Sequence, residues 1–455
     1  MRYSKLTYHL LITFISLIYF SGCGENNDLF IDTHPQKEKS MIQATLLLSL
    51  KDLDIHTRAN SYFLAGTEEE SSVKKLTVFI VDASEVKDYS FIANIPDDKK
   101  IFINVTTSEG IKTIFVGANM TTEQIDAVKN APDKNPEQSL NEISKIATNN
   151  NFLMTGQAVS NDGSKEIQIV ADETIPINVS LNRVVSKVLL TCSTDNVDGV
   201  EYISLPEKNG YIRLSDIHYV LSTTNKKFYP FAKANNEDPN YGITKTISES
   251  FESNFFTSPE TVMAGAPALK FDATRIKKEV GRYTEGIYCL ENTIDLEGNT
   301  YSGDLSIPKK VGTYLKIAAK FTPKQINNIT VLSESEAQQK LANGTFYVCK
   351  KASENIKKIC YSSIDAGKEF LKGYGITELT DEDFIVYEGG WQYYETFINS
   401  PKDFSENSGL LRNNYYIVHI KSFTAPIQEK TIEVNTIVAS WSIKGITHID
   451  IETGN

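Results

Sequence analysis

Ile42-Gln43-Ala44-Thr45-Leu46-Leu47-Leu48-Ser49-Leu50-Lys51 changes character at nearly every second residue. Ile42, Ala44, Leu46, Leu48 and Leu50 fall on one side of an extended chain; Gln43, Thr45, Ser49 and Lys51 fall mainly on the other. Successive side chains of a strand point to opposite faces, so this is the pattern of a strand with one face in a core. The same alternation recurs downstream, at residues 73–82, 101–105, 112–116, 166–170, 175–181, 184–191 and 211–221. It resumes at residues 282–290, 313–321, 344–350, 392–398, 415–421, 430–434 and 437–444. Many short strands with turn signals and few helices predict a mainly β chain of two β-sandwich domains.

Four short segments read as helical. Thr121 with Gln124, and Ser139 with Glu142, have capping-box spacing ahead of Ile125/Val128 and Ile143/Ile146. Residues 333–341 and 365–371 read as short helices. A polar stretch at residues 233–241 carries Asn, Asp and Pro, and predicts a boundary between domains at 41–232 and 233–455.

Upstream of the opening strand, Arg2 and Lys5 precede an apolar run from Leu10 to Phe20, then Ser21-Gly22-Cys23. That order is a secretory signal, expected over residues 1–22. The run is about half of the roughly 20 residues that span a bilayer as a helix. Small residues directly before Cys23 resemble a bacterial lipobox, with Phe20 where Leu is usual. Lipidation at Cys23 is the expectation, with an ordinary signal peptide and an incidental Cys as the alternative. Residues 23–40 are polar and read as a solvated tether.

Lys+Arg total 46 against 58 Asp+Glu, a net charge of -12. A phosphate backbone calls for a basic face, so nucleic acid is not an expected partner. Cys192, Cys289, Cys349 and Cys360 show no CxxC spacing; Cys349 and Cys360 are either a small disulfide loop or two buried thiols.

No catalytic signature is present: no GxSxG, HExxH, P-loop or GxGxxG. His34, His56, His218, His419 and His448 have no metal-ligand spacing, so neither catalytic residues, metal nor cofactor is expected. Asp195-Asn196-Val197-Asp198-Gly199 lacks the alternating ligands and distal Glu of a calcium loop, and reads as a hairpin turn. Asp381-Glu382-Asp383 reads as a solvated acidic loop rather than a cation site. Tyr387, Trp391, Tyr393 and Tyr394 read as strand core, with a sugar-stacking platform as the alternative.

The order of motifs resembles the fimbrillins, subunits of type V pili, and the minor-fimbrium shaft type in particular. In the first half the resemblance rests on residues 73–82, Ile114-Phe115-Val116-Gly117-Ala118-Asn119, Met154-Thr155-Gly156, and the run from Val179 to Val188. In the second half it rests on Tyr288-Cys289-Leu290-Glu291-Asn292, residues 314–323 and Gly344-Thr345-Phe346-Tyr347. Gly389-Gly390-Trp391-Gln392-Tyr393-Tyr394, Leu411-Arg412-Asn413-Asn414-Tyr415-Tyr416 and a closing strand with Trp441 follow. Ala425-Pro426-Ile427 departs from the family's usual Pro-Gly turn.

The resemblance implies a structural shaft subunit of a surface fimbria, serving adhesion, with other fimbrial subunits as partners in a self-polymer. Its receptor is not identifiable from sequence. Such subunits leave the cell as outer-membrane lipoprotein precursors and are cut after an Arg near the N-terminus. Arg58, followed by Ala59, is the matching position, and the cut would remove the first strand, residues 41–58. Another subunit's C-terminal strand then fills the groove, a form of β-augmentation. The candidate donor residues are Ile437, Ala439, Trp441 and Ile443, with Ile449 and Ile451 beyond them; the 437–443 stretch could equally belong to the C-terminal sandwich. A tip or anchor subunit, or a monomeric glycan-binding lipoprotein, are the alternatives.

Overall fold

The computed structural model describes residues 40–51, 62–82, 86–92, 99–203, 209–240, 255–256, 262–271, 285–293, 312–353, 356–398, 409–426 and 432–442. From the N-terminus the strands are β1 (Met41–Lys51), β2 (Tyr62–Ala65), β3 (Lys75–Val81), β4 (Val86–Ile92), β5 (Lys100–Ser108) and β6 (Gly110–Ala118). They continue with β7 (Gln138–Ser139), β8 (Met154–Val159), β9 (Ile167–Ile169), β10 (Thr174–Ser180) and β11 (Asn182–Arg183). Next come β12 (Val185–Cys192), β13 (Thr194–Val197), β14 (Val200–Ile203) and β15 (Gly210–Ser222). The chain is mainly β, with several sheets and a few short helices, α1 (Glu68–Ser71), α2 (Thr122–Asn130), α3 (Glu334–Lys340) and α4 (Ile364–Lys372) among them.

The first sheet has the order β4-β3-β6-β8-β10-β1-β5, with β9 beside β6 and β11 beside β8. β8 is paired on both edges: residues 154–157 pair with β6 on one, while on the other Ala158 and Val159 pair with β10, and Met154 and Thr155 with β11. Inward residues of these strands make one core, in which Leu46 and Leu48 meet Val78, Val116, Ile177 and Phe152. Gly156 is where β8 passes closest to β10; a Cβ there would stand 2.2 Å from the Ser180 carbonyl oxygen.

A second sheet runs β2, Ile432–Ser442, Asn414–Phe423, β12, Leu269–Lys270, with Ile287–Leu290 also on β12. It is a wall between two cores. Val185 and Leu189 of β12 enter the first core, while Val188, Leu190 and Cys192 enter a second. Tyr415 and Ile417 divide from Tyr416, Val418 and Ile420 in the same way. A strand buried on both faces tends toward a continuous apolar run; residues 184–191 approach one, interrupted by Ser186, Lys187 and Thr191, all three of them buried. The third sheet, β13-β14-β15 followed by Tyr314–Pro323 and Trp391–Phe397, closes the second core.

Three expectations need correction. β12 and β15, placed by sequence before a boundary near 233, pair with strands beyond it, at Asn414–Phe423 and Tyr314–Pro323. Within the polar 233–241 stretch, residues 234–236 are exposed, but Asp238 and Asn240 are buried, and Asp238 accepts from Thr293. The Ser139/Glu142 spacing does not start an α-helix. Ser139 lies in β7, Leu140 N–H donates to the Lys226 carbonyl at 2.8 Å, and only a 3-10 turn follows at Ile143–Lys145. Finally, residues 430–434 and 437–444 contribute to one strand, Ile432–Ser442, because Asn435 and Thr436 pair with His419 and Val418 instead of breaking the ladder.

The Thr121 capping box, by contrast, opens α2 as expected, and Ser333 and Ser363 cap α3 and α4.

Candidate functional site

β1 lies between two strands that are remote from it in sequence. Against β10 it runs parallel, in a register from Thr45↔Thr174 through Leu48↔Ile177 to Lys51↔Ser180. Backbone bonds extend this ladder past the strand end: Asp172 N–H donates to Gln43 and Thr45 N–H to Glu173, at 2.9 and 3.0 Å. On the other side lies β5. Leu50 N–H donates to the Lys99 carbonyl, Thr45 Oγ1 to Asn104 Oδ1, and Thr106 Oγ1 to Gln43 Oε1. Partner numbers fall as those of β1 rise, so this pairing is antiparallel.

Of the five residues expected on the inward face, Ala44, Leu46 and Leu48 are buried, and Ile42 and Leu50 pack partly buried on the same core. No hairpin joins β1 to either neighbour. A strand held only by its ladders and side chains leaves the rest of its sheet covalently intact when it is withdrawn. What it leaves is a slot between β5 and β10 with two unpaired edges. Burial of these side chains is worth roughly 1.5–3 kcal/mol for each large one, so the slot strongly favours a replacement strand of matching alternation.

Cys23, Arg58 and Ala59 lie outside the described residues. The chain re-enters at β2, which belongs to the second sheet, not to that of β1. The segment carrying Arg58 therefore joins strands of different sheets.

The expected donor residues divide. Ile437, Ala439 and Trp441 lie in Ile432–Ser442, where Ile437 pairs with Ile417 and Ala439 with Tyr415 on one side. On the other side Ala439 pairs with Tyr62 and Trp441 with Leu64, in parallel. This strand is thus taken up on both edges within its own chain. Ile443, Ile449 and Ile451 lie outside the described residues.

The remaining candidates resolve into structure. Asp198 and Gly199, both at positive φ, turn the hairpin between β13 and β14. Asp381 pairs with Lys368 at 2.6 Å and Asp383 with Lys351 at 2.8 Å; Thr380 caps Asp383. The Lys351 ammonium, then the Thr380 N–H, hold the Asp383 carboxyl down at about 2. Tyr387 and Tyr394 are buried, Tyr387 stacked on Phe346 and Tyr394 donating to the Thr424 carbonyl. Only Tyr393 of the four aromatics is well exposed, and Trp391 packs against Val220, Val262 and Ala318, so they form no sugar platform. Cys349 and Cys360 are free and buried, as are Cys192 and Cys289, whose thiols burial pushes up to about 12. Among the described residues, no group of three or more His, Cys, Asp or Glu side chains is placed to hold a metal, and no helix is long and apolar enough to cross a membrane.

Buried polar side chains that sequence reading missed hold the sheets together. Arg412 grips Glu291 with two nitrogens and donates to the Tyr229 and Pro230 carbonyls.

Residues 44–183 match the family model described as major fimbrial subunit protein (FimA). Over that segment the chain is similar to the fimbrial subunits that the model describes. The matched fimbrillin span starts within β1 and ends at β11, so it coincides with the first sheet and includes the strand whose withdrawal would open it. No curated protein matches the chain. Among solved structures, the chain is similar to a protein from Parabacteroides distasonis assigned to cell adhesion, at 12% identity and a TM-score of 0.47, covering 90% of this chain and 99% of that one. It is also similar to a fimbrilin (FimA) from Porphyromonas gingivalis, at 14% identity and a TM-score of 0.42, covering 88% and 98%. The tip fimbrial protein Mfa3 of the same organism gives 15% identity and a TM-score of 0.39, covering 88% and 100%.

Proposed function

We propose that the chain is a structural subunit of a surface fimbria, exported as a lipoprotein through Cys23 and polymerised by donor-strand exchange after a cut at Arg58. The observation that carries this reading is the lodging of β1: parallel to β10, antiparallel to β5, and tied to neither by a hairpin. The fimbrillin match over the same residues supports it. Other subunits of the same fimbria are the partners, and the lipid is a delivery device that holds the precursor at the outer membrane until the slot opens. The alternation of Ala44, Leu46 and Leu48 sets the side-chain pattern a donor must copy, since a one-residue slip would turn its apolar set outward.

Ile432–Ser442 is paired on both edges, which favours the segment beyond it, with Ile443, Ile449 and Ile451, as the donor. Mass spectrometry of the N-terminus on native cells tests the maturation step. A start at Ala59 in the assembled form is expected; an assembled form that keeps Cys23 would overturn it. Limited proteolysis of the purified precursor at Arg58 should give ladders that resist SDS, and a cut chain that stays monomeric and stably folded would sink the polymerisation model.

A further inference from the structure

Glu70, in the middle of α1, is buried, although it sits in an acidic run that looks solvent-facing in sequence. Its Oε1 accepts from Lys187 Nζ at 2.6 Å and from the Tyr288 hydroxyl. Its Oε2 accepts from the Thr67 N–H at 2.9 Å and the Tyr415 hydroxyl at 3.2 Å. Arg183, fully buried, donates from Nε to the Glu70 carbonyl at 2.9 Å and from Nη2 to Ser71 Oγ at 3.0 Å. Arg183 also gives its backbone N–H to Asn413 Oδ1 at 3.0 Å. Residues of β11, β12, Ile287–Leu290 and the start of Asn414–Phe423 thus close on five residues of chain, Thr67 to Ser71. Burial draws the Arg183 guanidinium down to about 10 and lowers the Lys187 ammonium; Glu70 pulls the other way on both, and its carboxylate is the ion-pair partner of Lys187.

This cluster lies just after β2, a four-residue edge strand on Ile432–Ser442. An edge strand that short has too few ladder bonds to stay down alone, and chain ends fray unless they are tied. β1 lies in the other sheet and is not part of the cluster as described above.

We propose that Glu70, Arg183 and Lys187 form a retention latch for the mature N-terminus. When the chain is opened between β1 and β2, the latch keeps residues 62–71 on the second sheet, β1 departs alone, and Ile432–Ser442 keeps β2 as its edge partner. The latch makes opening selective: the first-sheet slot is exposed while the C-terminal sheet stays closed. The inference rests on the proposed maturation only in that a cut must occur between these strands.

The test uses the full chain with a recognition sequence for a site-specific protease placed between Lys51 and Tyr62, so that it does not depend on Arg58 being the natural site. Hydrogen exchange of the 62–72 peptide is followed by mass spectrometry before and after cutting. In the unsubstituted chain its protection should survive the cut, while that of the 41–51 peptide is lost. With Glu70→Gln, exchange of 62–72 should quicken about tenfold or more in the cut form only, and residues 432–442 should follow it. Thr67→Ala, at a half-buried position, loosens the same segment more gently and serves if Glu70→Gln does not fold. Loss of 62–72 protection on cutting the unsubstituted chain overturns the latch. So does variant exchange that is equally fast before and after the cut, which is what a merely structural ion pair would give. Failure of natural processing at Arg58 would instead show in the mature N-terminus and leave these results standing.

Discussion

Leu48 and Ile177 are partners in parallel strands, and both are fully shielded from solvent. The pairing joins residues far apart in the chain, and Leu48 belongs to the strand proposed for removal. Leu48→Ala should lower the stability of the uncut chain by about 2–5 kcal/mol, through lost burial and a cavity. Urea denaturation measures this. In the cut and assembled form the same substitution should change nothing, because β1 has gone. An assembled form that still feels Leu48→Ala would mean that β1 had stayed.

Asp238 supplies a pH dependence. It is buried and accepts from the N–H groups of Asn240 and Thr293 and from the Thr293 hydroxyl. Burial outweighs these bonds and pushes its carboxyl up to about 7. An unfolded Asp titrates near 3.9, so the folded state holds the proton more tightly. The stability this contributes is fully present below about pH 4 and is lost as pH rises through about 7. Asp238→Asn removes the titration at nearly constant shape. Its stability relative to the unsubstituted chain should therefore rise by roughly 2–3 kcal/mol between pH 5 and pH 8, read by urea denaturation at each pH. A flat difference would show that Asp238 is ionised throughout.

The sequence and the structure agree best where one face is buried. The alternation of Ile42, Ala44, Leu46, Leu48 and Leu50 is legible because each inward residue answers to a single core. Strand β12 is buried on both faces; Val185, Val188, Leu189 and Leu190 mark it as a core strand, though periodicity cannot say which strands flank it. Its partner in Asn414–Phe423 lies about half the chain away, beyond the reach of any local pattern, and a boundary at 233 separates the two. Composition also misread Asp238 and Asn240, since polar residues that satisfy one another inside a core look like linker residues in a sequence. Lys187 was a usable signal, a lone cation in an apolar run that requires a buried anion. Its partner Glu70 was not legible, because nothing local separates it from Glu68 and Glu69.

The closing strand separates two readings of the C-terminus. Ile432–Ser442 is bonded to Asn414–Phe423 on one edge and to β2 on the other, so withdrawing it would break two ladders and uncover the second core, where Ile432 and Val434 pack. Removal of the residues after Gly445 touches neither ladder. A chain so shortened should fold with an unchanged Tm and still accept a cut at Arg58, yet form no SDS-resistant ladder, because it has a slot and no strand to offer. Mixed with cut, full-length chain, it should accept one donor and cap the polymer, shifting the ladder to shorter species as its share rises. A shortened chain that polymerises by itself would assign the donor role to Ile432–Ser442, and with it a rearrangement of the second sheet during assembly.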